Sequence, residues 1–247
     1  MIHAFLWGFI ATFSLFVGGL IGILFKIGNR MLGLIMAFGA GVLLSAVAYE
    51  LVFKSIKSAF GSGATLLGLL SGAVTFFVID LLISRMGASG RKNITGVHKE
   101  NMALPIVLAT ILDGIPETLV IGMSLLAGGE VGLGMLAAVF ISNLPEAIAG
   151  TSGMVAGAWK KGRILLLWLF IALVCAFSSM AGYALLENAT PAVISFIQTF
   201  AAGAILVMLS NTMIPEAYEH GKKLAGIFTV LGFTVAVSIA VIEFVGL

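Results

Sequence analysis

Residues 102–127 read MALPIVLATILDGIPETLVIGMSLLA, and residues 131–158 read VGLGMLAAVFISNLPEAIAGTSGMVAGA. Each run exceeds the roughly 20 apolar residues needed to cross ~30 Å of hydrocarbon, so each reads as a membrane-spanning helix. Yet each carries acidic groups near its middle: Asp113 and Glu117 in the first, Glu146 in the second. A carboxylate at the centre of such a helix costs about 2.5–3.5 kcal/mol on insertion scales, so it demands a partner, a proton or a task.

Working outward, further apolar stretches occupy roughly 4–25, 32–53, 63–84, 164–186, 190–217 and 224–245. With the two above they make eight helices, each too long for a strand of a membrane barrel. The chain of 247 residues is 60% hydrophobic and 10% charged, with a mean hydropathy of +1.18. An ordinary soluble surface carries about 25% charged residues. The expected fold is therefore an all-α integral membrane protein, a single transmembrane domain over 1–247 with little left for a soluble unit. The lone Cys175 excludes an internal disulfide framework and a cysteine-paired zinc finger. A net charge of +2 speaks against nucleic acid as a partner.

Eleven of the thirteen Lys and Arg fall in the connections after helices 1, 3, 5 and 7; only Lys54 and Lys57 lie on the opposite face. Positive loops stay in the cytoplasm, so both termini are expected outside, with the loop at 85–101 inside. No basic residue precedes the first apolar run, so that run is expected to be a retained span and not a cleaved signal. The small chain and short loops suit the cell membrane of a prokaryote, crossed many times.

Spacing groups the polar residues. Asp113 and Glu117 are i,i+4, as are Ser142 and Glu146, while Asn143 and Glu146 are i,i+3, so each set shares a helical face. Glu146 falls at a depth similar to Asp113 and Glu117, and the short link at 128–130 predicts that the two helices form an antiparallel hairpin. Pro116 and Pro145 withhold the hydrogen bonds otherwise made to the carbonyls of Leu112 and Ile141. Broken helices at membrane depth are where transporters hold ions, and a cation is one substitute for the missing donor. Asp113, Glu117 and Glu146, with Asn143 and Ser142 on the same faces, are thus candidates to line a cation site. A hydrogen-bonded structural cluster is the competing reading, weakened by the cost of three carboxylates beside two prolines.

A third Pro-Glu pair, Pro215-Glu216, lies near the end of helix 7 with His220 at i,i+4 from Glu216. These two form a candidate relay, although capping or solvation at the aqueous boundary accounts for them equally well. Glu50, i,i+4 from Lys54, reads as a boundary ion pair.

Together these residues resemble the ZIP (Zrt- and Irt-like protein) family of divalent-metal transporters along nearly the whole chain. The resemblance rests on eight spans, on the small-residue string Phe38-Gly39-Ala40-Gly41-Val42-Leu43, and on the Pro-Glu signatures of helices 4, 5 and 7. The family writes His-Asn-x-Pro-Glu-Gly in helix 4, where this chain has Asp113-Gly114-Ile115-Pro116-Glu117-Thr118. Its helix 5 pattern of His or Gln, Asn or Asp, x, Pro, Glu, Gly is here Ser142-Asn143-Leu144-Pro145-Glu146-Ala147. The resemblance implies a ZIP-like helix bundle with helices 1–3 and 6–8 as inverted repeats. It implies movement of a divalent cation (Zn, Fe, Mn or similar) toward the cytoplasm through helices 4 and 5. The metal is cargo, no separate cofactor is expected, and a homodimer stays open. With the family's histidines replaced by Asp113 and Ser142, the donors are oxygen-rich, which favours harder cations such as Mn. No helix 6 acid completes a second metal position.

The rival within transport is a carrier or channel for another cation, with the carboxylates as a proton or ion relay. An enzyme is not expected: Ser142 has no histidine at its depth, and a Gly-x-Gly-Asp pair is absent.

Overall fold

The structure is a computed structural model that describes residues 1–85, 103–127 and 133–245. No strand occurs among the described residues. Eight helices are long and apolar enough to cross a membrane: α1 (Ile2–Leu24), α2 (Asn29–Ser58), α3 (Ala64–Ile83), α4 (Ala103–Ser124), α5 (Leu133–Ala156), α6 (Lys161–Leu186), α7 (Pro191–Gly221) and α8 (Lys223–Val245). An all-helical, multi-pass membrane architecture follows, because lipid offers the backbone no hydrogen bonds and helices satisfy their own. The connection at 86–102 and the α4–α5 link at 128–132 lie outside the described residues.

Glycine sets which helices touch. Phe196 and Phe200 of α7 present backbone carbonyls to Gly68 and Gly72 of α3, so closely that a Cβ at either glycine would collide. On the other side, Gly232 of α8 meets the Phe38 carbonyl of α2 in the same way. Gly203 of α7 lies against Leu69 and Ala73 of α3; Gly41 of α2 lies against Thr229 and Phe233 of α8. Small residues let helix backbones approach where apolar side chains, already solvated by lipid, gain little from association.

These contacts are paired. Phe38 and Gly41 stand to α8 as Phe200 and Gly203 stand to α3. The same exchange maps the contact of Gly8 with Ser179 onto that of Trp168 with Gly19, across the α1–α6 seam. It also maps Ser178, whose hydroxyl donates to the Ile115 carbonyl of α4 at 3.2 Å, onto Gly18, packed on the Leu144 carbonyl of α5. Helix α1 therefore corresponds to α6, α2 to α7, α3 to α8, and α4 to α5. Gly8 meets Ser179 while Gly19 meets Trp168, so α1 and α6 run antiparallel and the two halves are inverted repeats about a pseudo-twofold between them.

Both α2 and α7 widen into a π-helical stretch, Val47–Phe53 and Leu209–Met213, beginning at corresponding positions. Such bulges insert a residue and re-aim side chains, and they recur at functional sites. In α7 the bulge leads into Pro215, which cannot donate to the carbonyl four residues earlier. In α2 it carries the buried Glu50, which is paired with Lys54. The Glu50 carboxylate also lies over Gly134 in the first turn of α5, where negative charge complements the helix dipole.

Helices α3 and α8 lie at the periphery and expose large apolar side chains such as Leu67, Leu70, Val74, Ile227 and Val230, whereas α2, α4 and α5 are mostly buried. The Gly72→Ala and Gly232→Ala variants place a methyl against a backbone carbonyl, and overpacking costs about 1–3 kcal/mol. Each is expected to lower the Tm of the detergent-solubilised protein by a similar amount. Gly226→Ala, with open space around it, leaves it unchanged.

Candidate metal centre

Asp113 and Glu117 lie on α4, and Ser142, Asn143 and Glu146 on α5; all five are buried, with Glu117 2% and Glu146 7% exposed. Pro116 and Pro145 sit inside continuous helices. The Ile141 carbonyl, relieved of its donor by Pro145, faces the bare backbone of α2 at Gly39, where a Cβ would fall 3.6 Å away. Around it, Ser142 Oγ donates to the Val139 carbonyl at 3.1 Å, leaving its lone pairs available. Thr118 Oγ1 donates to the Gly114 carbonyl at 2.7 Å. The Nδ2 of Asn143 is buried without a hydrogen-bond partner among the described residues. An amide can present its oxygen to the same place by a half turn, so this position suits a cation as well as a donor-seeking neighbour.

The expected α4–α5 hairpin is not a closely packed pair. Among the described residues α4 and α5 touch sparingly, while α4 packs on α6 and α5 on α1. The glycine contacts explain this: Gly182 of α6 takes the Leu119 carbonyl of α4, and Gly22 of α1 takes Ile148 and Thr151 of α5. Each acidic helix is held by the seam helix of one half, and α4 and α5 face each other across the pseudo-twofold.

Beside Asp113 the structure places a residue that sequence spacing did not single out. Cys175 of α6 is fully buried. Its Sγ sits on Gly114, where a Cβ would fall 2.6 Å from the sulfur. The pseudo-twofold partners of Asp113 and Gly114 are Ser142 and Asn143, so the two faces differ in charge. No local pattern links Cys175 to position 114; only the α4–α6 packing does.

The mid-span carboxylates do not close on a single point. Among the described residues, one group of three His, Cys, Asp or Glu has ligand atoms all within 4.8 Å of one another, and it is Glu216, Glu219 and His220 at the end of α7. Like charges repel, and in a weakly polar surrounding that repulsion is strong; the mid-span oxygens keep a wider spacing. Glu216 Oε1 lies 3.2 Å from His220 Nε2, as the i,i+4 spacing requires. Glu219 was legible in the sequence as i,i+3 from Glu216.

Compared with known proteins, the chain matches no family model, and no curated sequence is significantly similar to it.

Proposed function

We propose that the protein carries a divalent metal cation across the membrane, by alternating access, through a site formed by Asp113, Glu117 and Glu146 with Asn143 and Ser142. The observation that carries this reading is that three carboxylates, Asp113, Glu117 and Glu146, are buried at mid-span on two helices that each contain a proline. Burying one ionised carboxylate is costly, and burying three is costlier still unless a cation offsets most of their charge; a 2+ ion leaves one negative charge over. A monovalent cation would leave two of the charges uncompensated.

The inverted halves supply a means of movement. Rocking of one repeat against the other about a midplane site is how repeat-built transporters alternate access. The α1–α6 seam, close-packed through Gly8 and Gly19, and the two π bulges are the elements across which such rocking would take place. By the distribution of Lys and Arg, the end of the molecule bearing Lys26, Arg30, Lys160 and Lys222 is cytoplasmic, and transport runs toward it. The resemblance to the ZIP family points the same way. The oxygen donors favour a hard cation, while Cys175 adds a soft atom beside them; Zn, Fe and Mn are the cargo class.

Thermal unfolding of the solubilised protein tests this before any transport assay. A ligand at a hundred times its Kd adds about 2.7 kcal/mol to the folded state. Zn2+ or Mn2+ is expected to raise Tm by several degrees at micromolar concentration, and K+ at the same ionic strength to leave it unchanged. Equal stabilisation by all salts would contradict a divalent site.

A further inference from the structure

We infer that the last turn of α7 holds a second divalent-cation site, separate from the mid-span carboxylates, formed by Glu216, Glu219 and His220. The site is argued from its own geometry; only its role, as a station at the mouth of the pathway, rests on the transport reading above.

The three side chains stand at i, i+3 and i+4, so they share one face of the helix. Their ligand atoms all lie within 4.8 Å of one another. Donors bound at ~2.0–2.2 Å to one ion can be no more than about 4.4 Å apart, so a small rotation of the exposed Glu219 closes the set. The imidazole nitrogen faces Glu216: Nε2 is buried, lies 3.2 Å from Glu216 Oε1, and makes no hydrogen bond among the described residues.

Packing fixes the imidazole in place. Gly33 of α2 lies against this turn, where a Cβ would fall 2.8 Å from His220 Cβ and 2.8 Å from the Gly221 nitrogen. The bare backbone of α2 therefore covers the histidine and leaves its ring directed toward Glu216. Helix α7 stops here. Lys222, at φ 53°, turns the chain and α8 begins at the next residue. The negative end of the α7 dipole thus lies at the triad, and a cation there is favoured. Lys222 and Lys223 are exposed, so water screens their charge.

One neutral imidazole with two carboxylates cancels a 2+ charge and suits a borderline cation such as Zn2+ or Fe2+ more than Mg2+ or Ca2+. Three protein ligands leave a coordination position to water. An ion so held exchanges readily, as a station beside the aqueous phase requires.

The test is Zn2+ titration by calorimetry of the purified full chain carrying Glu117→Gln and Glu146→Gln, which removes the mid-span charges. This variant is expected to bind one Zn2+, with Co2+ giving visible d–d absorption from a site that contains nitrogen. Adding Glu219→Gln, an exposed and conservative change that leaves the Glu216–His220 pair intact, is expected to weaken Zn2+ binding at least tenfold. His220→Gln is expected to abolish the Co2+ absorption. No Zn2+ bound by the double variant, or binding that Glu219→Gln and His220→Gln both leave unchanged, overturns the site. A double variant that binds Zn2+ here, from a protein whose native form transports none, would overturn the transport reading and leave this site standing.

Discussion

Glu117→Gln and Glu146→Gln are each expected to reduce divalent-metal uptake into proteoliposomes by at least about 100-fold while the protein stays folded. The magnitude follows from charge. Glutamine has the shape of glutamate and keeps an oxygen, but it cannot offset a 2+ ion, and hydrogen bonds and contacts to charged groups are roughly twice as strong as neutral ones. Loss of about 2.7 kcal/mol at the ion already corresponds to a hundredfold change. The sign of the stability change separates this reading from a structural cluster. If the carboxylates only hold helices together, breaking a buried pair destabilises by about 3–5 kcal/mol, and Tm falls in both variants. If they await a cation, removing a charge relieves repulsion and desolvation, so Tm without metal holds or rises while the metal-induced rise in Tm disappears.

Replacing Cys175 by alanine is expected to lower the ratio of Cd2+ or Zn2+ uptake to Mn2+ uptake by about tenfold, equivalent to about 1.4 kcal/mol of differential binding. The sulfur of Cys175 is a soft atom packed on Gly114, next to Asp113, and soft sulfur donors select zinc-like ions whereas oxygen donors suit Mn and Mg. Serine at 175 separates the two contributions: it keeps the size and replaces sulfur by a hard oxygen, so the ratio falls as in alanine while total Mn2+ uptake is preserved. Uptake measured with paired metals in one vesicle preparation checks this. An unchanged ratio in both variants would place the sulfur outside the coordination sphere and leave selectivity to the oxygen donors.

Much of the architecture was legible in the chain because lipid makes it so. Apolar length and the absence of alternation dictate spanning helices, and all eight appear close to their expected places. The differences lie at ends and bulges. Helix α2 runs on to Ser58 and α7 to Gly221, because each continues into a polar last turn, with Lys54 and Lys57 or Glu219 and His220, where hydropathy ends the span. The ion pair of Glu50 with Lys54 was readable from i,i+4 spacing; the placement of Glu50 over the start of α5 was not, since it depends on packing. The inverted repeat is carried by a few glycine and phenylalanine positions, such as Phe38 with Phe200 and Gly41 with Gly203, among side chains that diverge freely while they face lipid. The candidate site was half visible. Periodicity placed Asp113 and Glu117 on one face, and the Pro-Glu pairs marked equivalent points of α4 and α5. Sequence adjacency then suggested a closely packed hairpin, whereas among the described residues α4 and α5 touch sparingly and Cys175 of α6 lies beside Gly114. Contacts made across a bundle leave no trace in local spacing.

The most direct test of the central claim is an anomalous-difference map from crystals of the full chain grown with Mn2+ or Cd2+. The account predicts a peak between α4 and α5, about 2.0–2.4 Å from carboxylate oxygens of both Glu117 and Glu146. A map with no peak there, and with the two carboxylates each hydrogen-bonded to its own neighbours, would contradict it.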